Sequence, residues 1–151
     1  MERSAEAIDH RVMEMIHRCR DKGMNVTPQR IAVYRALLLS EDHPSPEMLY
    51  QEVRQSMSSL SLATIYKTLE AFENLGLVHE VSVISDKRRY DANIENHHHL
   101  VCSVCGKVAD YYNGELDSLL PTRAVNGFTP ESVSVSINGV CSDCNSHQSI
   151  H

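Results

Sequence analysis

The sequence predicts an α+β chain, with an N-terminal winged helix-turn-helix domain over residues 1–90 and a small C-terminal α/β domain over residues 91–151. Three observations lead to this prediction. Four segments with apolar residues at helical spacing occupy the first half, a strand–turn–strand pattern follows them, and short alternating segments with paired cysteines fill the second half. A length of 151 residues is enough for two small domains.

Four helices are predicted in the first half from their start and stop signals. Apolar residues at helical spacing from Ala5 to Cys19 form one stripe, and Gly23 ends this first helix. Cys19 lies on the stripe and is expected to be a core residue. Residues that suit the N-cap position, two of them followed by proline, begin the next three helices at Thr27, Ser45 and Ser61.

A two-stranded hairpin is predicted directly after the fourth helix. Leu77–Val83 has a strand pattern, Ser85–Lys87 makes a turn, and Arg88–Tyr90 starts the returning strand. Short helices followed by such a hairpin are typical of a winged helix-turn-helix, in which the last helix, Ser61–Asn74, is the recognition helix.

The outer side of this recognition helix offers candidate contacts to DNA. The apolar residues face inward, which leaves Thr64, Tyr66 and Lys67 exposed near the end that enters the major groove. Thr64 and Tyr66 are placed to meet base edges and thymine methyl groups, and Lys67 to meet phosphate. Winged helices also serve as protein-binding modules, so the topology alone leaves both functions open.

The second half is predicted to be a small α/β unit that pairs with a second copy of itself. Strands are expected over residues 99–104 and 107–112, around a Cys-Gly turn, and over Ser132–Ile137, where apolar residues alternate with serines. Leu116–Ala124 has helical character, although Pro121 should break or shorten the helix. Residues 146–151 are expected to be a frayed tail.

Charge and hydropathy limit the classes of function. The net charge is −6, but residues 1–90 carry 12 Lys and Arg against 13 Asp and Glu, so a local basic face for DNA is not excluded. Apolar residues make up 42% of the chain, yet no apolar run approaches the roughly 20 residues needed to cross a bilayer. The polar N-terminus lacks the apolar core of a signal peptide. We therefore expect a cytoplasmic protein with no membrane partner.

Two Cys-x-x-Cys pairs, Cys102 with Cys105 and Cys141 with Cys144, are the strongest chemical signal. Together they can place four thiolates around one Zn²⁺ in a closed, tetrahedral structural site. The 35 residues between the pairs exceed the spacing of a standard zinc ribbon, so the site would clamp the start and end of a domain. A redox-active Cys-x-x-Cys motif and four unrelated buried cysteines are the competing interpretations.

A second signal is the segment from Asp91 to His99, which ends in three histidines. On an extended segment, His97 and His99 point the same way and can share one ion, while His98 would face outward. Imidazole and carboxylate without thiolate suit iron, manganese or zinc. A solvated polar turn with unengaged histidines is the alternative, and His43 would by itself be interpreted as a loop residue.

Five stretches, in the same order along the chain, are similar to one protein family: Val26–Arg30, Asp42–Ser45, Leu60–Leu69, His97–Gly106 and Gly139–Cys144. Over nearly its full length the chain resembles the ferric uptake regulator (Fur) family of bacterial metal-dependent repressors. The resemblance implies a homodimer with a winged-helix DNA-binding domain, a C-terminal metal-binding dimerisation domain and a four-cysteine structural zinc.

The same resemblance implies a regulatory Fe²⁺ or Mn²⁺ between the domains, with Arg30 among the DNA-binding residues. Asp110 occupies a position where the peroxide-sensing (PerR-like) branch has aspartate and iron sensors usually have glutamate, which favours the peroxide-sensing branch. A further metal site of many relatives, which needs a histidine near residues 131–133, is expected to be absent. The ligands that carry over to this chain are His43, Asp91, His97, His99 and Asp110.

These interpretations predict a regulator and not an enzyme. It would bind double-stranded operator DNA at an inverted repeat when its metal is bound, sense peroxide through iron-catalysed oxidation of His43 or His97, and then release DNA and derepress oxidative-stress genes. A ferric or zinc uptake regulator is the alternative within the family. A zinc-ribbon redox or hydrolytic protein is the alternative from another class, but catalytic zinc needs an open coordination position that four thiolates close.

Overall fold

The computed structural model describes residues 1–81 and 88–148, with the backbone alone for residues 147 and 148. The chain divides into two compact units, which contain, of the described residues, 1–81 with 88–94 and 95–148. This division falls four residues after the boundary expected from the sequence, so Asp91 belongs to the first unit. Among the described residues, no helix combines the length and apolar character needed to cross a bilayer.

Four helices build most of the first unit. A serine or threonine side chain before each helix accepts a hydrogen bond from a backbone N–H of the first turn, which satisfies one of the donors that a helix start leaves unpaired. The N-caps predicted at Thr27, Ser45 and Ser61 are confirmed. The helices are α1 (Ala5–Asp21), α2 (Pro28–Leu39), α3 (Pro46–Val53) and α4 (Leu62–Asn74).

The core of the first unit lies where α1, α2 and α4 meet. Tyr34 and Phe72 are fully buried, and their rings pack edge to face with centroids 5.2 Å apart. Cys19 is a core residue, as predicted, with its thiol 3.7 Å from the sulfur of Met15. Gly76 follows α4 with a positive φ of 65°, a left-handed conformation that glycine adopts at low cost where a helix ends.

A two-stranded antiparallel hairpin completes the first unit. Strand β1 (His79–Val81) pairs with β2 (Arg89–Asp91), and His79 lies opposite Asp91 in the register. The predicted turn at Ser85–Lys87 and the end of the first predicted strand lie outside the described residues. The helices and this hairpin give the first unit a winged-helix architecture.

The second unit is built on a three-stranded sheet with the order β4-β3-β5. Strand β3 (His98–Cys102) pairs antiparallel with β4 (Val108–Tyr111) and parallel with β5 (Ser136–Gly139). A four-residue helix α5 (Gly114–Asp117) follows β4, and α6 (Ser142–Gln148) follows β5. The parallel pair brings two segments that are distant in the sequence side by side, which positions the cysteines described below.

Three segments of the second unit differ in extent from the prediction, although the helix is shortened before Pro121, as expected. The helix expected over Leu116–Ala124 is only α5, which starts at the N-cap Asn113 and ends at Asp117. Pro121 has no N–H to continue the helix and disfavours helical backbone just before it. The strand expected from Ser132 begins only at Ser136. Residues 146–148, expected to fray, continue α6, whereas 149–151 lie outside the described residues.

Candidate metal centres and nucleic-acid surface

The four paired cysteines converge in the second unit. Cys102 ends β3, Cys105 lies in the turn before β4, and Cys141 and Cys144 lie at the start of α6. The parallel register places Gly139 beside Cys102, so the second pair begins next to the first. All four sulfurs lie within 4.8 Å of one another, and those of Cys105 and Cys141 are 3.7 Å apart.

This geometry fits a tetrahedral metal site. With zinc–sulfur bonds of about 2.3 Å, the edge of an ideal tetrahedron of sulfurs is roughly 3.8 Å, close to the observed separation of Cys105 and Cys141. The backbone N–H groups of Cys105 and of Cys141, the latter at 3.3 Å, point at the sulfur of Cys102 and lower the pKa of its thiol to about 6. The lowered pKa favours the thiolate of Cys102, the form that binds metal.

The same cluster shifts the pKa of Cys144 in the opposite direction. Hydrogen bonds with the sulfurs of Cys141 and Cys105 raise the pKa of its thiol to about 12, because they favour the protonated form. A cation among the sulfurs would reverse this preference, because it stabilises every thiolate of the cluster. The donor set and the spacing suit a closed S4 site.

In the first unit, the structure brings His43 and Asp91 together. Both side chains are buried, and His43 Nδ1 lies 3.5 Å from Asp91 Oδ1. The backbone N–H of Asn93 donates to the same carboxylate at 2.7 Å, which fixes its orientation. His43, which by itself would be interpreted as a loop residue, thus has a carboxylate neighbour from β2.

The backbone at His43 has a left-handed conformation, with a φ of 47°. Non-glycine residues adopt this conformation infrequently, and it persists where surrounding contacts impose it. Arg89 donates to the carbonyl of His43 at 3.3 Å, and the N–H of Tyr90 donates to the carbonyl of Pro44 at 3.1 Å. Strand β2 therefore positions both Asp91 and the backbone that carries His43.

Sequence reasoning missed His79, a third polar side chain at this place. Its Nε2 lies 3.8 Å from Asp91 Oδ2, and its side chain is 43% exposed. The signal that could have found it is the register of the hairpin, which sets His79 directly opposite Asp91.

In the second unit, the structure brings His97, His99 and Asp110 together. His97 Nε2 lies 3.2 Å from Asp110 Oδ1, and the rings of His97 and His99 have centroids 4.6 Å apart. His99 and Asp110 are direct partners in the β3–β4 register. Nδ1 of His97 is 2.7 Å from the carbonyl of Glu95, an arrangement that commonly orients metal-binding histidines toward their ion through Nε2.

The expected outward orientation of His98 is wrong. Its side chain is fully buried, and its Nδ1 accepts a hydrogen bond of 3.2 Å from the backbone N–H of Val135. The alternation of side chains along β3 holds, since His97 and His99 meet on one side. The error lay in assuming that the other side of the strand faces solvent.

On α4, the side chains predicted to contact DNA are not equally available. Tyr66 and Lys67 are exposed, whereas Thr64 is half-buried, with its hydroxyl 2.9 Å from that of Ser61. The hydroxyl of Tyr66 donates to Glu47 at 2.8 Å. Arg30, also half-buried, donates to the carbonyl of Asn25.

Sequence reasoning also missed the residues beside Tyr66. An open cavity of about 550 Å³ next to its ring is lined by Glu47, Met48, Arg88 and Arg89, together with the start of α3. Two arginines beside the exposed end of the recognition helix add positive charge that suits phosphate. The pair Arg88-Arg89 in the returning strand was the available signal.

Comparison with known proteins identifies the family. The sequence matches the model of the ferric uptake regulator family over residues 21–138. It is 35% identical over 145 residues to the peroxide-responsive repressor PerR of Staphylococcus epidermidis, covering 95% of this chain and 97% of that protein.

Solved structures agree with this assignment. The Campylobacter jejuni peroxide stress regulator is similar, with 32% identity, a TM-score of 0.65 and coverage of 87% of this chain and 98% of that one. The Helicobacter pylori ferric uptake regulator has a TM-score of 0.71 at 20% identity, covering 91% and 93% of the two chains, which is a likeness of fold. By its sequence and its fold, this chain belongs to the ferric uptake regulator family.

Proposed function

We propose that this protein is a metal-dependent, DNA-binding transcriptional repressor that responds to peroxide and is not an enzyme. The observation that carries the proposal is the donor chemistry of two groups, His43 with Asp91 and His97 with His99 and Asp110, which offer only nitrogen and oxygen ligands. The side chains are buried, except that Asp110 is partly exposed. The 35% identity to a peroxide-responsive repressor supports the same function.

A structural zinc held by Cys102, Cys105, Cys141 and Cys144 is the first part of the proposal. These residues connect the end of β3 with the segment after β5, so one ion there would fasten the start and end of the second unit. The small sheet provides little core of its own, since β5 is exposed along its whole length. Zinc binding would then supply part of the folding free energy of this unit.

The regulatory ion is the second part, and its ligands are proposed from family membership. His43 and Asp91 from the first unit and His97, His99 and Asp110 from the second would hold one Fe²⁺ or Mn²⁺. Ligands contributed by both units favour the one arrangement in which they converge, and a DNA-binding state is thereby selected through a population shift.

Peroxide sensing is the third part. Bound iron would supply electrons that convert peroxide into an oxidant within reach of its ligands. His43 and His97 would be the rings that gain oxygen, and a ring so modified loses the nitrogen that binds metal. The interdomain restraint is then lost, DNA is released, and oxidative-stress genes are derepressed.

DNA recognition by a homodimer is the fourth part. The exposed N-terminal part of α4 would enter the major groove, and Thr64, Tyr66, Lys67 and Arg30 would provide contacts to bases and phosphates. A two-fold dimer requires an operator with two half-sites in an inverted repeat.

The second unit offers a surface for the dimer. β5 is an edge strand of the described sheet, and three apolar residues on or beside it are exposed by more than two fifths: Leu100, Ile137 and Val140. An exposed apolar edge strand pairs readily with another strand and is usually covered in the native assembly. A second copy of this chain is the proposed cover.

An operator-binding titration tests the whole proposal. Metal-free protein, Mn²⁺-loaded protein and Fe²⁺-loaded protein are each titrated onto an A/T-containing inverted repeat, before and after brief exposure to hydrogen peroxide. Binding should require metal, and peroxide should abolish it only in the iron form. Equal binding without metal would contradict the metal-dependent switch, whereas iron-dependent binding that survives peroxide would favour an iron-uptake regulator.

A further inference from the structure

His98 is the one histidine of the triplet that the proposed metal site does not use, yet it is the most deeply buried of the three. It is fully enclosed, compared with exposed fractions of 4% for His97 and 3% for His99. A polar side chain is placed in such surroundings at a cost unless it is hydrogen-bonded. The contacts of His98 therefore indicate what it does.

The His98 ring has one hydrogen bond and one nearby carboxylate. Its Nδ1 accepts a hydrogen bond of 3.2 Å from the N–H of Val135, so in the neutral ring the proton is on Nε2. Nε2 lies 3.2 Å from Oδ1 of Asp117, at the end of α5. Asn96 donates to the same carboxylate oxygen at 2.8 Å, which holds it beside the ring.

The bond to Val135 is part of a short ladder that joins the segment before β5 to the histidine strand. The N–H of His99 donates to the carbonyl of Val135 at 3.0 Å, and the hydroxyl of Ser134 approaches the carbonyl of His97 at 3.4 Å. Val135 therefore has both of its backbone polar groups bound to adjacent residues of β3. One of these two bonds depends on the side chain of His98.

Neighbouring side chains on a strand point to opposite faces, so fixing one sets the orientation of the others. On one side of the chain the His98 ring accepts from Val135 and lies beside Asp117, while His97 and His99 meet Asp110 on the other side. Rotation or fraying of this part of β3 would move both of these histidines away from the carboxylate.

We propose that His98 is a positioning residue, which holds β3 through its bond to Val135 so that His97 and His99 present their rings to a metal ion. The inference rests on the proposed regulatory metal site. His98 is not a ligand of that ion, and its own chemistry is that of a hydrogen-bond acceptor for a backbone amide.

The test uses three substitutions in the full-length, zinc-loaded protein. His98→Asn retains an acceptor near the position of Nδ1, His98→Gln retains a polar group near Nε2 instead, and His98→Leu removes both. Mn²⁺ alone is the probe, and its affinity and stoichiometry are measured by calorimetry. Amide hydrogen exchange at Val135 and zinc content report on the ladder and on the fold.

The His98→Asn protein should bind Mn²⁺ nearly as the wild type does and keep Val135 protected. The His98→Gln and His98→Leu proteins should lose protection at Val135 and about tenfold or more in Mn²⁺ affinity, the size of effect typical of groups that orient metal ligands. All three should bind the same number of Mn²⁺ ions as the wild type. If the His98→Leu protein loses zinc and unfolds, the difference in Mn²⁺ affinity between the His98→Asn and His98→Gln proteins tests the positioning role.

Three results would overturn the inference. Equal Mn²⁺ affinity in His98→Gln and the wild type would show that the ladder does not position the ligands. A stoichiometry lower by one ion would make His98 a ligand. Failure of the wild-type protein itself to bind Mn²⁺ would overturn the proposed function as well, and this result is distinguishable from the other two because it requires no variant.

Discussion

The phenolic hydroxyl of Tyr66 donates a hydrogen bond of 2.8 Å to Oε1 of Glu47 and joins the recognition helix to α3. Glu47 lies in the first turn of α3, where the helix dipole favours a negative charge. The hydrogen bond to this carboxylate raises the pKa of Tyr66, because it favours the protonated phenol. With its proton engaged, the phenol offers only oxygen lone pairs to DNA, so it suits amino groups of adenine or cytosine in the major groove.

Replacing Glu47 by glutamine should therefore broaden the base preference at the position that Tyr66 contacts. A glutamine side chain both donates and accepts, so the Tyr66 hydroxyl becomes able to donate to a base. Selection of half-sites from a randomised DNA library measures this preference. Glu52→Gln removes the same charge from the same helix and should leave the selected bases unchanged. Selection of wild-type bases by the Glu47→Gln protein would contradict the assigned polarity.

Removal of the Tyr66 side chain should weaken operator binding more than Glu47→Gln does. Tyr66→Ala is expected to weaken operator binding by about 1–3 kcal/mol, the size of one good contact to a base edge. The loss should be much smaller on unrelated DNA, since only the specific complex uses that contact. Competition between operator and unrelated duplex in one binding assay gives the ratio, and an equal loss on both would assign Tyr66 to the phosphate backbone.

Loss of the Lys67 side chain should not change sequence preference, because a phosphate contact carries no sequence information. Lys67→Ala is expected to weaken all sequences alike and to reduce the slope of log affinity against log salt by roughly 1 per lost phosphate contact. Binding isotherms at several salt concentrations measure the slope. Lys107→Ala removes an equal charge from an exposed position of the second unit and should leave the slope unchanged.

The zinc site is tested most directly at Cys102, the buried member of the four cysteines, whose pKa is lowered to about 6. Cys102→Ser should release zinc and unfold the second unit, since structural zinc supplies folding free energy. Zinc content and melting temperature are the measurements. Cys19→Ala, in the core of the first unit, should keep its zinc. A Cys102→Ser protein with full zinc content and unchanged melting would refute the structural role.

Local signals predicted the helices of the first unit well, because each start is encoded within four residues. A hydroxyl at the N-cap accepts from the third residue after it, as Thr27 does from Arg30 and Ser61 from Thr64. The position of Cys102 beside Gly139 depends instead on a parallel pairing between distant segments. Paired cysteine motifs still indicated that site, since their chemistry requires the sulfurs to meet.

No comparable motif indicated the contacts of Glu47 and His98, because the functions of glutamate and histidine depend on their surroundings. Glu47 is one acidic residue among many, and only packing of α3 against α4 places it at the Tyr66 hydroxyl. The prediction that His98 faces outward rests on the alternation of side chains along a strand, which does not show what covers the second face. Val135 and Asp117, which cover that face, come from segments whose regular structure was overestimated.

Oxidation at His43 or His97 is the most specific consequence of the proposed function. Nδ1 of His97 is engaged with the carbonyl of Glu95, which leaves Nε2, directed at Asp110, as the atom proposed to bind metal. Such a ring would be among the groups nearest to a bound ion and to any oxidant produced there. Brief, mild exposure of the iron-loaded protein to hydrogen peroxide should add one oxygen atom to a peptide that contains His43 or His97.

Peptide mass spectrometry measures this change, and the Mn²⁺-loaded protein is the matched control, because Mn²⁺ is much less reactive toward peroxide. Thiolates bound to zinc should be attacked less readily than free ones, so the cysteine peptides are expected to remain unmodified at this dose. If the cysteines are oxidised first and zinc is lost, the four-cysteine site would be the peroxide sensor. If the histidines stay undamaged while iron still controls DNA binding, the protein is an iron sensor. The same ligands would then report metal supply alone.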